Sequence, residues 1–384
     1  MSGALKRDEW ETVRLGDYIS LIRGVSYSPK DVGDDSYSDY LPVLRANNIR
    51  DDMLNFDDLV YVHISKINNT QLIKSGDILV CASSGSKQLV GKSARATQDY
   101  QGSFGAFCKL VRTHDCIDSK YLGHYFGSEI YRRNISDLAQ GANINNLRNE
   151  HIENILLPLP PLDVQRRIAD TLDKVSELIT LRKTQLKKLD ELVKARFVEL
   201  FGDVETLIHR WDVKRLAEVT INLDSTRKPV KDSDRQKMQG QYPYYGATGI
   251  VDYVNDYRID GTFLLISEDG KALEFRNKDI AFIASGKIWV NNHAHVLQCT
   301  NDIEMIFLKH YMNFRNISDW ITGIDQKKLN RTNMDKIPVG LPPITLQKQF
   351  SVFVEQIDKL KSSIQQSLDA LETLQKSLMQ EYFG

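Results

Sequence analysis

No apolar run in this 384-residue chain approaches the roughly 20 residues that a membrane-spanning helix needs, and no signal-peptide pattern follows Met1. No membrane association is expected, and a cytoplasmic location is. Cysteine is scarce as well. Cys81, Cys108, Cys116 and Cys299 fall at irregular spacings without a Cys-x-x-Cys pair, which argues against a disulfide framework and against a zinc site. Nor is there an excess of charge: 50 Lys and Arg against 51 Asp and Glu leave a net charge of −1, so the chain as a whole exerts no pull on a polyanion. Nucleic acid is not thereby excluded, because attraction to phosphate depends on a local basic face.

Catalytic signatures are equally absent. There is no Asn-Pro-Pro-Tyr-type loop to grip a target base, no Gly-rich loop after a first strand to hold a methyl donor, and no Gly-x-Ser-x-Gly nucleophile elbow. The run from Gly85 to Lys92-Ser93 resembles a phosphate-binding loop, but it carries one residue too many between Gly85 and Gly91 and reads as a turn. His293 and His295 alternate as they would on a strand, yet no carboxylate or Cys completes a metal spacing.

What the sequence does contain is a repeat. Leu159-Pro160-Pro161-Leu162 followed by Gln165 returns as Leu341-Pro342-Pro343-Ile344 followed by Gln347, displaced by 182 residues. The match runs on without a gap: Val175, Leu178, Leu186, Leu189, Leu192, Glu199, Phe201 and Gly202 meet Ile357, Leu360, Leu368, Leu371, Leu374, Glu381, Phe383 and Gly384. Upstream, Gly141 and Leu147 fall opposite Gly323 and Leu329. Each repeated segment starts after Pro-Pro, lacks interior Pro or Gly and ends at Phe-Gly, which predicts a helix of about 38 residues. Apolar positions recur along the first at Leu172, Val175, Ile179, Leu186, Leu189, Val193 and Leu200, with a skip at Arg182. The second repeats the stripe at Val354, Ile357, Ile364, Leu368, Leu371, Leu378 and Tyr382, skipping at Lys361 and Gln375. Such stripes cannot stay in water, so the two helices are expected to pack on one another. An antiparallel coiled coil would relate the two halves by a pseudo-two-fold axis. At about 1.5 Å per residue each rod spans roughly 57 Å, on the order of 15 base pairs of duplex.

The remaining segments show short mixed patterns. Leu41 to Leu44, Asp77 to Val80, Thr262 to Ile266 and Ile280 to Ile283 read as buried strands, and helical patches fall near Ser119 to Asn134 and Ile303 to Asn313. Trp10 stands five residues before Leu15 and Trp211 five before Leu216, which supports duplication of a whole α+β unit.

The order variable segment, Leu-Pro-Pro-x-x-x-Gln, long helix, taken twice, resembles the specificity subunits of type I restriction-modification systems, and the resemblance covers essentially the whole chain. Segments 159–202 and 341–384 resemble the family's conserved regions. Stretches 242–250 (Tyr-Pro-Tyr-Tyr-Gly-Ala-Thr-Gly-Ile) and 285–297 (Ser-Gly-Lys-Ile-Trp-Val-Asn-Asn-His-Ala-His-Val-Leu) resemble patterns of its target-recognition domains. The resemblance implies an α+β fold with target-recognition domains at 1–158 and 204–340 and conserved helices at 159–203 and 341–384. It also implies a non-catalytic subunit that reads a bipartite target in double-stranded DNA and holds methyltransferase (modification) subunits, joined by a restriction and translocase subunit. S-adenosylmethionine, ATP and magnesium would sit on those partners, with no cofactor in this chain. The competing reading is a coiled-coil scaffold whose end domains bind proteins.

Base edges are read by Arg, Lys, Asn, Gln and Ser on loops, whereas phosphates take Lys, Arg, hydroxyls and backbone amides. In the first domain the candidates are Arg45, Asn47, Asn48 and Arg50, together with Ser83, Ser84, Ser86, Lys87 and Lys92. In the second they are Arg227, Lys228, Lys231, Tyr244, Tyr245, Lys271, Lys287, Asn291, Asn292 and His293. Arg166, Arg167, Lys183, Lys187 and Lys188 on the first helix read as a solvated exterior.

Overall fold

A computed structural model describes residues 7, 10–34, 38–86, 88–141, 146–323 and 326–384. The chain forms two compact units, one from Met1–Lys183 with Ser367–Gly384 and the other from Thr184–Gln366. The division falls inside two helices, Leu162–Phe201 and Ile344–Phe383, each 40 residues long. Each unit therefore owns one part of each helix.

Both helices start at the Pro-Pro pair for the same reason. The carbonyl of Pro161 accepts from the amides of Val164 and Gln165 at 2.8 and 3.0 Å, and that of Pro343 accepts from Leu346 and Gln347 at 2.9 and 3.2 Å. The repeated glutamine then locks the turn to the globular part. Gln165, almost fully buried, donates from Nε2 to the carbonyl of Pro160 at 2.8 Å and accepts at Oε1 from the amide of Asp118 at 2.8 Å. Gln347 does the same with Pro342 and with the amide of Glu304, at 2.8 and 2.9 Å. Asp118 and Glu304 cap the helices Ser119–Phe126 and Met305–Phe314. One amide thus joins the start of a long helix to the start of a short one, twice. The first long helix stops at Gly202, whose φ of 94° suits a residue without a side chain.

Along the stripe, Leu172, Val175, Ile179 and Val193 are buried on the first helix, and Val354, Ile357 and Leu368 on the second. The polar breaks are also part of the seam. In the first unit Gln375 Nε2 donates to Ser176 Oγ at 2.9 Å and Lys183 pairs with Glu372 at 2.9 Å. In the second unit Lys361 Nζ donates to Asp190 at 2.5 Å, and the rings of Phe197 and Phe350 meet at 5.4 Å. Within each unit the numbering rises on one helix as it falls on the other, so the packing is antiparallel.

Each core is closed by both helices. In the first unit Ile168, Ala169 and Leu172 pack with Tyr121, Tyr125 and Phe126, and Phe383 joins them from the second helix. In the second unit Val193, Phe197 and Phe201 pack with Phe307 and with Phe350 and Val354. The Phe of each Phe-Gly end is therefore a core residue, 0% exposed at Phe201 and 5% at Phe383.

A four-stranded sheet recurs in both units. Its order is Ile19–Arg23, Cys108–Thr113, Ile78–Cys81, Ser93–Arg95 in the first and Thr220–Asn222, Ala294–Cys299, Ile259–Ser267, Ala281–Val290 in the second. The register is the same. Cys81 faces Cys108 and Ile78 faces Val111, while Ser267 faces Ala294 and Leu264 faces Leu297, each residue displaced by 186. A two-stranded ribbon recurs too, with Glu11 opposite Leu159 and Asp212 opposite Leu341. What differs is the addition. The first unit adds a second sheet, Ser103–Phe104, Tyr40–Leu44, Val60–His63, Val32–Gly33. The second adds a hairpin, Gln239–Gly246 with Gly249–Val254, to the edge of the shared sheet through Tyr244 opposite Trp289.

Two predictions follow from these contacts. Gln347→Leu strands the amide of Glu304 and the carbonyl of Pro342 in the interior and should cost about 2–4 kcal/mol, read by urea or thermal denaturation; an unchanged midpoint would refute the locking role. The second concerns acid. Burial among Phe314 and Phe350, with Lys309 and Lys361 nearby, pushes the His310 imidazole down from its ordinary 6.5 to about 3. Below pH 6.5 the unfolded chain takes up a proton that the folded one refuses, so stability present at neutral pH is lost as pH falls toward 3, by at most about 1.4 kcal/mol per pH unit. His310→Phe should flatten that slope between pH 7 and 4.5 in urea titrations.

Candidate nucleic-acid interface

The first unit brings four of its sequence candidates to one place. Arg45, Asn47, Ser83 and Ser84 line a cleft of about 650 Å³ together with Tyr27 and Phe107. Its walls are held by backbone. Gly24 and Gly105 approach so closely that a Cβ on Gly24 would lie 2.2 Å from the Gly105 carbonyl oxygen, so only glycine fits. Asp58 fixes two candidates: Arg45 Nη2 donates to its carbonyl and carboxylate at 2.7 and 2.9 Å, and Asn47 Nδ2 donates to the same carboxylate at 3.0 Å.

The other first-unit candidates lie elsewhere. Asn48 is a correction: it is fully buried, accepting from the amide of Arg45 at 2.8 Å and donating to the carbonyls of Asn55 and Asp57 at 3.0 and 2.7 Å. An Asn with its side chain satisfied inside the fold cannot read a base. Arg50 is exposed with Nε on the carbonyl of Asn47, and Ser86 is exposed beside Ser84. Lys92 stands near Asp52, whose carboxyl burial pushes up while Lys92 and Arg132 oppose it. Lys87 lies outside the described residues.

In the second unit, Tyr244, Tyr245 and Asn291 are likewise corrections. Tyr244 is 1% exposed, its hydroxyl accepting from the amide of Val230 at 3.0 Å, and the buried ring of Tyr245 stacks on Phe282. Asn291 is buried with Oδ1 accepting from the amide of His293 at 2.8 Å, so it shapes the turn rather than facing a groove. Arg227 is half-buried in an ion network, donating to Glu268 at 2.5 Å and to the Ala294 carbonyl at 3.1 Å and lying 3.3 Å from Asp224. Burial raises the Glu268 carboxyl, but hydrogen bonds from Arg227 and Lys328 outweigh it and hold the group below its ordinary range. Lys228, Lys231, Lys271, Lys287 and Asn292 are exposed. His293 is half-exposed, with Nδ1 2.9 Å from both oxygens of Asp269.

The shared register places Ser83 and Ser84 of the first unit in a loop equivalent to the one that holds Asp269 and Lys271 in the second. Ser83 bridges Asn146 and Asp269 bridges Lys328, while the amide of Leu147 donates to the carbonyl of Ala82 and that of Leu329 to the carbonyl of Glu268. Ser84 and Gly85 thus correspond to Gly270 and Lys271. Sequence reasoning missed Tyr27 and Phe107 in the first unit, and in the second Tyr257 and Arg258, which sit against Lys287 and Trp289. Aromatic side chains read as core in a sequence. Only their exposure marks them out.

A family model described as the type I restriction modification DNA specificity domain matches twice, over residues 7–191 and 209–373. The chain belongs to the type I restriction-modification DNA specificity family. The StySPI specificity subunit of Salmonella potsdam is 28% identical, the similarity covering 97% of this chain and 88% of the relative. The EcoKI specificity subunit of Escherichia coli strain K12 is 36% identical over 50% of this chain and 42% of the relative. Among solved structures, the S subunit of a type I restriction-modification system from M. genitalium has a TM-score of 0.61 at 17% identity, covering 100% of this chain and 97% of that one. At that identity the likeness speaks for the fold.

For this specificity-family chain the burial of Asn48 makes a direct test. Asn48→Ala should lower stability by about 2–4 kcal/mol, seen as a lower melting temperature, and leave any DNA-sequence preference of the folded fraction unchanged.

Proposed function

We propose that this chain reads a bipartite target in double-stranded DNA, one half with each unit, and positions modification subunits on it without catalysing a reaction itself. The observation that carries the reading is a pair of loops built twice in one register with different side chains facing out: Ser83, Ser84 and Phe107 in one unit, where Arg45 and Asn47 from beside the added sheet join them, and Lys271, Asn292 and His293 in the other. A fixed frame with exchanged polar side chains suits two readers of different base sequences. Exposed Lys228, Lys231 and Lys287 would neutralise phosphates beside the second reader.

Protein partners are supported by the helices. Leu178 and Leu181 in the first unit are 43% and 51% exposed, and Leu192 and Leu360 in the second 47% and 54%. Apolar residues on a helix exterior fit a covering protein, here the methyltransferase subunits and a restriction subunit. S-adenosylmethionine, ATP and magnesium would be held by those subunits, in the cytoplasm.

The test is to express the chain with its cognate modification subunit and map methylated adenines across host DNA by single-molecule sequencing. A split motif with a constant gap is expected, and replacing residues 204–340 by the corresponding domain of a relative should change one half only. An assembled complex that methylates nothing, or an exchange that alters both halves, would overturn the reading.

A further inference from the structure

At one point of the repeat the two units share a backbone hydrogen bond and expose different side chains. In the first unit the carbonyl of Phe107 accepts from the amides of Ala82 and Ser83, both at 2.9 Å, and the next residue opens a strand with Cys108 facing Cys81. In the second the carbonyl of His293 accepts from the amide of Glu268 at 2.9 Å, and the next residue opens a strand with Ala294 facing Ser267. Phe107 and His293 are thus the same position displaced by 186 residues, as are Ala82 and Glu268.

The side chains at this position point away from the core. Phe107 is 71% exposed, more than any other large apolar side chain among the described residues, and it lines the cleft that holds Arg45, Asn47, Ser83 and Ser84. An exposed phenylalanine by itself says little. One fixed by its carbonyl in a cleft that also holds Arg45, Asn47, Ser83 and Ser84, at a point where the other unit exposes an imidazole, says more. The His293 side chain is 46% exposed and Asp269 only 11%. A carboxylate only accepts, so Nδ1 of His293 donates to Asp269, and in that tautomer Nε2 is left as the ring's acceptor.

From this we infer that the position held by Phe107 in the first unit and His293 in the second determines sequence specificity, one base pair in each half of the target. The phenyl ring of Phe107 packs on the 5-methyl group of a thymine, and Nε2 of His293 accepts from the exocyclic amino group of an adenine or cytosine in the major groove. The inference rests on the DNA-reading function proposed above.

The experiment compares methylation maps from the complex of the full chain with its modification subunit, carrying the unaltered sequence, Phe107→Ala, His293→Ala or His293→Gln. Phe107→Ala should lose discrimination about tenfold at one thymine position in one half and nowhere else. His293→Ala should relax one adenine or cytosine position in the other half, and His293→Gln, which keeps an acceptor, should retain part of that preference. Unchanged motifs in both alanine variants, or a uniform loss of methylation at all sites, would overturn the inference while leaving the DNA-reading function standing. No split motif from the unaltered chain would overturn both.

Discussion

Everything in this fold depends on a stripe that neither long helix can bury alone. A helix with apolar residues at alternating steps of three and four needs a partner along its length. Here the partner lies 182 residues away in the sequence. The first unit is consequently finished by the last residues of the chain: the ring of Phe383 meets those of Tyr121 and Tyr125 at 5.0 and 5.6 Å. Closing that contact draws together residues more than half the chain apart, so its loop-closure entropy must be offset by the aromatic core it completes.

The helices were legible because their signals are local and periodic. Pro-Pro, an uninterrupted stripe and Phe-Gly specify start, face and end without any tertiary knowledge. The repeated glutamine was visible as a letter but not as a device, since its partners, the amides of Asp118 and Glu304, lie well away in sequence. The sheets were only half legible. Buried runs such as those at 77–80 and 280–283 showed as strands, yet the shared register did not, because a ladder is made by backbone groups. Cys81 and Cys108 occupy the places of Ser267 and Ala294, and no alignment of side-chain types would pair them. Two of the site candidates turned out buried for a related reason. Asn48 and Asn291 are the polar residues that a reader of DNA would use, and they are also the residues that stabilise tight turns from within.

Charge followed the same rule. The near-neutral total concealed a sorting of cations into two populations. Arg227 and Lys328 converge on Glu268, with Asp224 bonded to the buried ring of His295 at 2.7 Å. These charges brace the floor beneath the second unit's loops. The lysines at 228, 231, 271 and 287 are exposed instead. A whole-chain sum cannot separate the two groups, whereas the carboxylate that Arg227 and Lys328 share does so at once.

That sorting bears on how such a protein can change what it reads. The loops are fixed by bonds between backbone groups, Phe107 to Ala82 and Ser83, His293 to Glu268, Leu147 to Ala82, Leu329 to Glu268. Backbone amides and carbonyls are present whatever the side chain, apart from proline's missing donor. A substitution at an exposed position on these loops therefore leaves the frame intact and alters only the surface offered outward. Changing a residue such as Asn48 or Gln165 instead removes a partner from buried backbone groups and weakens the fold itself. Variation is cheap where the side chain faces out and costly where it faces in.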